Sequence, residues 1–181
     1  MAIYKTYIQQ IKFDGITYTK GSVVDILSTY KVMCQEFPFK RNTKPKALPS
    51  RDWAGEDGLD IYIPDGDLPM SAYDIEVTFL YVGTEATISN DLKNFLDFLC
   101  GRKKAQNANN VKSGRLAIFN EYVNMGRKDV VVSEIDNEIY YCSDNDKDAV
   151  AKFKVKFTVN DPTTEVTKGV TGGVVTTLNF S

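Results

Sequence analysis

Apolar and polar residues alternate with a period of two over much of the chain, which predicts a protein built mainly from β-strands. Residues 73–82 are the clearest case, with apolar side chains on one face and Asp74, Glu76 and Thr78 on the other. Residues 149–160 repeat the pattern with lysines on the polar face. Turn-forming residues separate the predicted strands, so we expect an antiparallel meander. The shorter strands are predicted at 116–119, 129–134 and 138–142.

The N-terminal region is predicted to form a β-hairpin. Residues 4–13 and 16–19 are rich in aromatic and β-branched residues, and Asp14-Gly15 between them suits a two-residue turn. Residues 22–39 form a further apolar run whose period is mixed between strand and helix. We expect this run to be mostly extended.

One α-helix is predicted, at about residues 88–100. Its apolar residues recur at helical spacing and form a single stripe, and Gly101 follows as a residue that can end the helix. The opposite face is polar, so the helix must lie on a sheet or on a partner. The predicted fold is therefore mainly β (α+β), an antiparallel β-sandwich or small barrel with one flanking α-helix.

Two blocks of opposite charge follow each other in the chain. Residues 40–51 hold five basic residues, two prolines and no acid, which predicts a long exposed loop. Residues 52–67 hold six acidic residues and no basic one, around a short strand at 59–63. Since complementary charge sets partner choice, we expect salt bridges between these blocks of neighbouring copies. The predicted interface residues are Lys40, Arg41, Lys44, Lys46, Arg51, Asp57 and Asp60.

The composition is that of a soluble globular protein, with 181 residues, 43% hydrophobic and 25% charged. We predict one β-rich domain over residues 1–162. The remaining residues, 163–181, have no long apolar face, so we expect them to be loose in isolation and held by neighbouring subunits. No run approaches the roughly 18 apolar residues that span a bilayer, and the N-terminus does not resemble a secretory signal. We expect no membrane insertion, and synthesis in the cytoplasm.

The residue types disfavour catalysis. The chain has no histidine, which removes Ser-His-Asp and Cys-His nucleophiles and histidine-ligated zinc. Cys34, Cys100 and Cys142 lack C-x-x-C spacing and are expected to be buried free thiols. No phosphate-binding glycine loop or dinucleotide fingerprint occurs. We therefore predict that the chain is not an enzyme and that it has no catalytic residue, metal site or cofactor.

Three weaker chemical interpretations stay open. Residues 144–148 resemble the start of a calcium loop, but Ala149 and Val155 stand where a glycine and a bidentate acid are needed, which favours an acidic turn. A carboxylate pair could support a hydrolase, although the sequence spacing offers none. The basic runs 40–51 and 102–115 could contact phosphates, but they lack stacking aromatic residues and are more simply solvated loops.

The order of these elements resembles the tail-tube fold shared by tail-tube and distal tail proteins of long-tailed bacteriophages. The resemblance covers about residues 59–162: the aromatic strand 73–82, the helix, the segment 114–119 and the final strand. The F-x-V-x-F pattern that begins at Phe153, followed by Asp161-Pro162, is its most suggestive part.

The resemblance implies a structural virion protein, most simply of the distal tail or baseplate hub type, located in the tail and assembled in host cytoplasm. Six copies would form a ring around a channel, with other tail proteins above and below. DNA would pass through without sequence recognition, because an acidic lumen repels it. The candidate lumen or ring-stacking acids are Glu134, Asp136, Glu138, Asp144, Asp146 and Asp148.

Several alternatives remain. Distal tail proteins often carry a second, partner-binding domain for which this chain is too short, so a major tail-tube protein and a head-to-tail connector compete with the hub. Outside that class, the chain could be a monomeric β-sandwich whose loops 40–51 and 103–113 bind a ligand or partner.

Overall fold

Strands make up 51% of the chain and helices 11% in a computed structural model, which confirms the predicted mainly β class. The structure describes residues 4–41, 43–63, 67–105, 111–136, 139–142 and 148–180. The strands are β1 (Thr6–Phe13), β2 (Tyr18–Asp25), β3 (Val32–Glu36), β4 (Ser50–Arg51), β5 (Asp60–Ile61), β6 (Tyr73–Thr84), β7 (Arg115–Asn120), β8 (Met125–Ile135), β9 (Ile139–Cys142), β10 (Asp148–Val159), β11 (Thr167–Thr171) and β12 (Val174–Asn179). The helices are α1 (Ile26–Tyr30) and α2 (Ile88–Leu99).

Eight strands form one antiparallel sheet in the order β2-β1-β7-β8-β10-β6-β3. Strand β9 lies beyond the end of β8 and pairs with the same side of β10. The longest pairing joins all twelve residues of β10 to β6. As predicted, inward residues such as Phe153 and Phe79 alternate with outward residues such as Lys154 and Thr78.

The sheet is strongly curved, and the first helix shows why. Strands β2 and β3 are at opposite ends of the strand order, yet only α1 and Lys31 separate them in sequence. The sheet must therefore bend until its two ends approach. Side chains from both ends, including Val24 and Val32, accordingly share one core.

Helix α2 closes this core, which confirms the flanking helix. Phe95 and Phe98 are fully buried on its apolar stripe, and the Phe95 ring meets Phe79 at 5.4 Å between centroids. Gly101 ends the helix with φ of +69°. A side chain there would be strained and would also clash with the backbone of Gly114.

Two local predictions differ from the structure. The first turn is four residues long, with Phe13 paired to Tyr18, because the Asp14 carboxylate accepts hydrogen bonds from the backbone of Ile16 and Thr17. The second concerns the run 22–39, which was predicted to be mostly extended: the end of β2 and all of β3 are extended, but the short helix α1 lies between them. Asp25 caps this helix at its start, accepting a hydrogen bond from Leu27 N, and Lys31 ends it at φ of +58°.

The C-terminal segment differs from the expectation that it is loose in isolation. Strands β11 and β12 form a hairpin that covers the sheet face opposite α2. Val166 and Leu178 are buried there against Tyr7, Ile11 and Phe119. Contacts within one chain therefore hold this segment, and the part that neighbouring subunits play stays a prediction.

Candidate assembly surfaces

Charged side chains cover part of the outer face of the sheet, the face opposite α2. Because cross-strand partners project to the same side, residues of β6, β8 and β10 form rows there. Lys154 Nζ donates to Glu76 at 2.5 Å, and Lys156 Nζ donates to Glu134 at 2.6 Å. Thr158 donates to Asp74 at 2.7 Å. We call these six residues the charged ladder.

Hydrogen bonds within the ladder shift three pKa values toward the charged forms. The hydrogen bond from Lys154 lowers the pKa of Glu76 and, in return, raises the pKa of Lys154. The hydrogen bond to Glu134 raises the pKa of Lys156. With three carboxylates and two ammonium groups, the ladder has a net negative charge near neutral pH.

The same face becomes apolar toward the other end of β6. Val82 pairs with Val150, which pairs with Tyr141, so these three side chains form a row across the sheet. The next row joins Met33 to Leu80 and continues through Lys152 to Ile139. Ile139 is 57% exposed. The apolar stripe consists of Met33, Leu80, Val82, Ile139, Tyr141 and Val150.

A cavity of about 830 Å³ opens beside the stripe. Met33 and Leu80 belong to both, and the aromatic rings of Tyr4, Phe37 and Tyr122 supply much of the remaining wall. Glu36 is the one carboxylate among its lining residues. The cavity therefore extends the stripe as an apolar depression.

Apart from β2 at the other end of the strand order, two strand edges near this part of the sheet lack a strand partner in the described residues. Within the described residues, β3 pairs with β6 alone. On the other side, β7 pairs with β8 only as far as Val131. The end of β8 and the whole of β9 consequently present a second edge. Unpaired edges offer backbone groups to another strand.

A two-stranded arm, residues 44–63 with 67–71, projects from the body. Its strands β4 and β5 pair with each other, and Pro45 bridges to Met70 closer to the body. Every residue from 49 to 63 is exposed. The arm nevertheless carries large apolar side chains, all between 44% and 66% exposed: Trp53, Leu59, Ile61, Tyr62 and Ile63.

The root of the arm is held firmly at Lys40. The backbone carbonyl of Lys40 accepts a 3.1 Å hydrogen bond from Arg127 Nη2, and its backbone N–H donates to the Tyr73 hydroxyl at 3.2 Å. Arg127 is only 2% exposed, and its Nη1 donates to Gly126 O. A buried guanidinium thus fixes the point at which the arm leaves the sheet.

All seven predicted interface residues lie on the arm or at its root. Arg51 and Asp60 face each other across the two arm strands, so the two charge blocks meet there within one chain. Arg41 makes a long, exposed contact with Glu165 at 3.9 Å. The basic strand and the acidic tip of the arm both face solvent, and their pairing with another copy stays a prediction.

The predicted lumen acids are only partly described. Glu134 lies in the charged ladder, Asp136 follows the end of β8, and Asp148 begins β10 with an exposed side chain. Glu134 and Asp136 lie close together beside Lys156 and Lys154, whereas Asp148 lies at the far end of β10, about 26 Å from Lys156 along the strand. Glu138, Asp144 and Asp146 lie outside the described residues, as does most of the calcium-like segment.

Across the described ranges, no group of three or more metal-ligating side chains comes together. No helix in that part of the chain is long and apolar enough to cross a bilayer. Cys34 lies in β3, and burial raises the pKa of its thiol to about 12, which disfavours a reactive thiolate.

Sequence reasoning missed the apolar stripe and the role of Arg127. A signal for the stripe exists, since Leu80 and Val82 break the polar alternation of β6. No local pattern marks Arg127, because its partner Lys40 is 87 residues away.

No protein-family model matches the chain, and no curated protein matches it either.

Proposed function

We propose that this chain is a structural subunit of a bacteriophage tail that joins other copies edge to edge in a closed ring. The observation that supports this proposal is that two strand edges, β3 on one side and the β8–β9 edge on the other, have no strand partner in the described residues. Because these two edges differ, their contact is heterologous, and such contacts close into rings when the rotation permits. Each contact would continue the sheet by backbone hydrogen bonds.

The charged ladder supports a channel lined by the outer face. Joined sheets would repeat Asp74, Glu76 and Glu134 around the ring, with both lysines already paired to carboxylates. A net negative wall repels DNA and so allows it to slide. Six copies, assembled in the host cytoplasm and located in the virion tail, are the arrangement that the family resemblance implies.

The proposal also concerns which component of the phage tail this chain forms. A distal tail or baseplate hub ring would bind different tail proteins on its two sides, whereas a major tail-tube protein would stack on itself. A head-to-tail connector is the third option. None of these roles needs a cofactor or catalytic chemistry.

One observation favours a second class of function. The apolar cavity beside Met33 could hold a ligand or an apolar segment of a partner, as a monomeric binding module would. Solution mass distinguishes this candidate from the ring, because a module stays monomeric at every concentration.

An edge-blocking variant tests the ring. Gln35 is exposed and lies at a bulge where β3 has no register partner on β6, so Gln35→Pro should preserve the fold while removing an edge N–H. We expect wild type and the control Gln35→Ala to form rings in light scattering and negative-stain microscopy, and Gln35→Pro to stay monomeric with an unchanged melting temperature. Monomeric wild type at high concentration, or rings of Gln35→Pro, would contradict the proposal.

A further inference from the structure

The far end of the arm, residues 52–59, is both acidic and apolar. Its charged residues are Asp52, Glu56 and Asp57, with no basic residue among them. Within the described residues, none of these three carboxylates has an ion pair. Trp53 and Leu59 in the same segment are 47% and 58% exposed. We call these five residues the arm tip.

The basic strand of the arm does not neutralise the arm tip. Arg51 is the basic residue nearest to the tip in sequence. It faces Asp60 across the two arm strands, and its guanidinium lies 5.2 Å from the centroid of the Trp53 ring. Since Asp60 balances Arg51, the three acids of the tip keep a net negative charge.

An exposed apolar turn lies between β1 and β2. Ile16 is 89% exposed in this turn, and Phe13, the last residue of β1, is 45% exposed. The Arg115 guanidinium lies 5.9 Å from the centroid of the Phe13 ring. Lys12 is also exposed and projects to the other face of β1. The turn is therefore apolar at its centre, with a cation on each side.

The segments 102–104 and 111–115 bring further basic residues to this turn. Lys103 O accepts a hydrogen bond from Gln10 Nε2 at 2.8 Å, and Val111 lies against Gly21 of β2. Because Gln10 and Lys12 project to the same face of β1, the segment after α2 lies near Lys12. The basic patch comprises Lys12, Phe13, Ile16, Lys104, Lys112 and Arg115.

The basic patch has a net positive charge, although two acids lie nearby. The Asp14 carboxylate accepts hydrogen bonds from the backbone of its own turn, and Asp129 pairs with Arg115 at 3.1 Å. The three lysines of the patch are exposed and have no ion pair within the described residues. Four basic side chains therefore face two carboxylates.

We infer that the arm tip of one copy docks on the basic patch of a second copy. The carboxylates of the tip meet the lysines of the patch, while Trp53 and Leu59 cover Ile16. This inference rests on the proposed self-assembly and names a contact different from the strand edges. The two halves are different surfaces, so the contact is heterologous and each copy can give one arm and receive another.

Charge complementarity supports a second copy as the occupant of the basic patch. The tip and the patch each have an apolar centre, and the charges around these centres are of opposite sign. Neither half is covered in its own chain, because every residue from 49 to 63 is exposed and Ile16 is almost fully so. Nucleic-acid phosphates would also attract the lysines, but they would leave the apolar side chain of Ile16 uncovered.

Charge reversal tests the contact. Glu56→Lys with Asp57→Lys reverses the tip, and Lys12→Glu with Lys112→Glu reverses the patch. All four side chains are exposed, so the fold should be kept. Each double variant brings like charges together and should raise the concentration of half-association at least about tenfold. A mixture of the two variants restores opposite charges and should associate near the wild-type concentration, whereas a mixture that fails to associate would contradict the inference.

The matched control for the tip variant is Glu85→Lys with Asp148→Lys, which changes the net charge by the same amount. Both residues are exposed, and Asp148 pairs with Thr84, directly before Glu85. Helix α2, about 18 Å long, separates Glu85 from the segment 102–104. This control should associate as the wild type does. Equal weakening of the control would reveal an effect of net charge alone and would overturn the inference.

A photo-crosslinker at position 59, in an equal mixture of ¹⁴N- and ¹⁵N-labelled chains, locates the contact without relying on ring formation. We expect crosslinks between differently labelled chains to peptides containing Ile16 or Lys112. Such crosslinks in Gln35→Pro, which blocks the β3 edge, would support the arm contact even where ring closure fails. Wild-type rings without these crosslinks would overturn the inference and leave the proposed ring standing.

The same variants distinguish a protein partner from nucleic acid. Binding of a short DNA duplex is measured by fluorescence anisotropy. DNA binding that is lost in the patch variant and kept in the tip variant, without crosslinks from position 59, would assign the basic patch to phosphates and overturn the inference. We expect the tip and patch variants to lose association alike, with no DNA binding by the wild type.

Discussion

Among the described residues, two β-hairpins lie outside the main sheet, and they differ in whether their apolar side chains are buried. The C-terminal hairpin β11–β12 packs on its own sheet, with Val166 and Leu178 buried. The arm β4–β5 has comparable apolar side chains, yet every residue from 49 to 63 is exposed. A short hairpin is stable only against a support. One hairpin is supported within the chain, and the apolar side chains of the other stay exposed.

The difference comes from the anchors available to each hairpin. Gln9 accepts a hydrogen bond from Leu178 N, and Lys20 donates to Leu178 O. Lys20 also lies 3.9 Å from the centroid of the Phe180 ring, a cation–π contact. The Arg127 and Tyr73 side chains hold the backbone of Lys40 at the root of the arm, whereas the described arm residues 49–63 are all exposed. The C-terminal hairpin is therefore part of the fold, and the arm is a candidate assembly element.

The largest expected difference in stability comes from making the same substitution, leucine to alanine, in each of the two hairpins. Leu178→Ala should lower the free energy of unfolding by about 2–5 kcal/mol, because it leaves a cavity at a fully buried position. Leu59→Ala, in the arm, should change it by less than about 0.5 kcal/mol, since Leu59 is 58% exposed. Urea denaturation of dilute protein measures both. Equal effects would mean that the two hairpins do not differ as described.

The sequence predicted the large-scale fold because the relevant signals are local. Strands β6 and β10 alternate cleanly along their length, and α2 carries its stripe and its terminal glycine within fourteen residues. The C-terminal hairpin could not be predicted in this way, because its support is Tyr7 and Ile11 at the other end of the chain. Its own residues show only a weak apolar face.

The candidate assembly surfaces were also predictable in part, again where their signals are local in sequence. The charge blocks of residues 40–67 are local, and they do lie on an exposed arm. The apolar stripe is assembled from four strands, so its members come together only after the sheet has formed. The position of Arg127 under the arm root depends on a contact between residues 40 and 127.

The second effect concerns the root of the arm. Arg127→Met removes the donor to Lys40 O, and we expect it to reduce local protection at the root by about 1–3 kcal/mol. Hydrogen exchange should accelerate in peptides that cover residues 37–46, while peptides from β10 stay protected. Arg51→Met is the matched control, because Arg51 is exposed on the arm itself. Faster exchange of β10 in Arg127→Met would show that Arg127 holds the core and not the arm root.

The smallest effect appears only in alkaline solution and concerns the anchor of the C-terminal hairpin. Tyr18 packs edge-on against Phe180, and its hydroxyl donates to Asp129 at 2.5 Å. Burial, with help from the Asp129 carboxylate, raises the pKa of Tyr18 from 10.0 to about 12. The folded state therefore keeps this proton at a pH where the unfolded chain loses it. The stabilisation is complete below pH 10 and is lost as the pH rises toward 12.

Tyr18→Phe isolates this contribution, because other groups titrate equally in both proteins. The wild type should lose more unfolding free energy between pH 10 and 12 than the variant, in denaturant titrations at several pH values. Asp129→Asn should make the loss smaller and complete it at lower pH, since it removes the negative charge that raises the pKa of Tyr18, while asparagine tolerates the positive φ of position 129. Identical pH profiles for wild type and Tyr18→Phe would show that the phenol does not hold the hairpin, leaving Leu178 and the cation–π contact of Phe180 as the anchors that distinguish it from the arm.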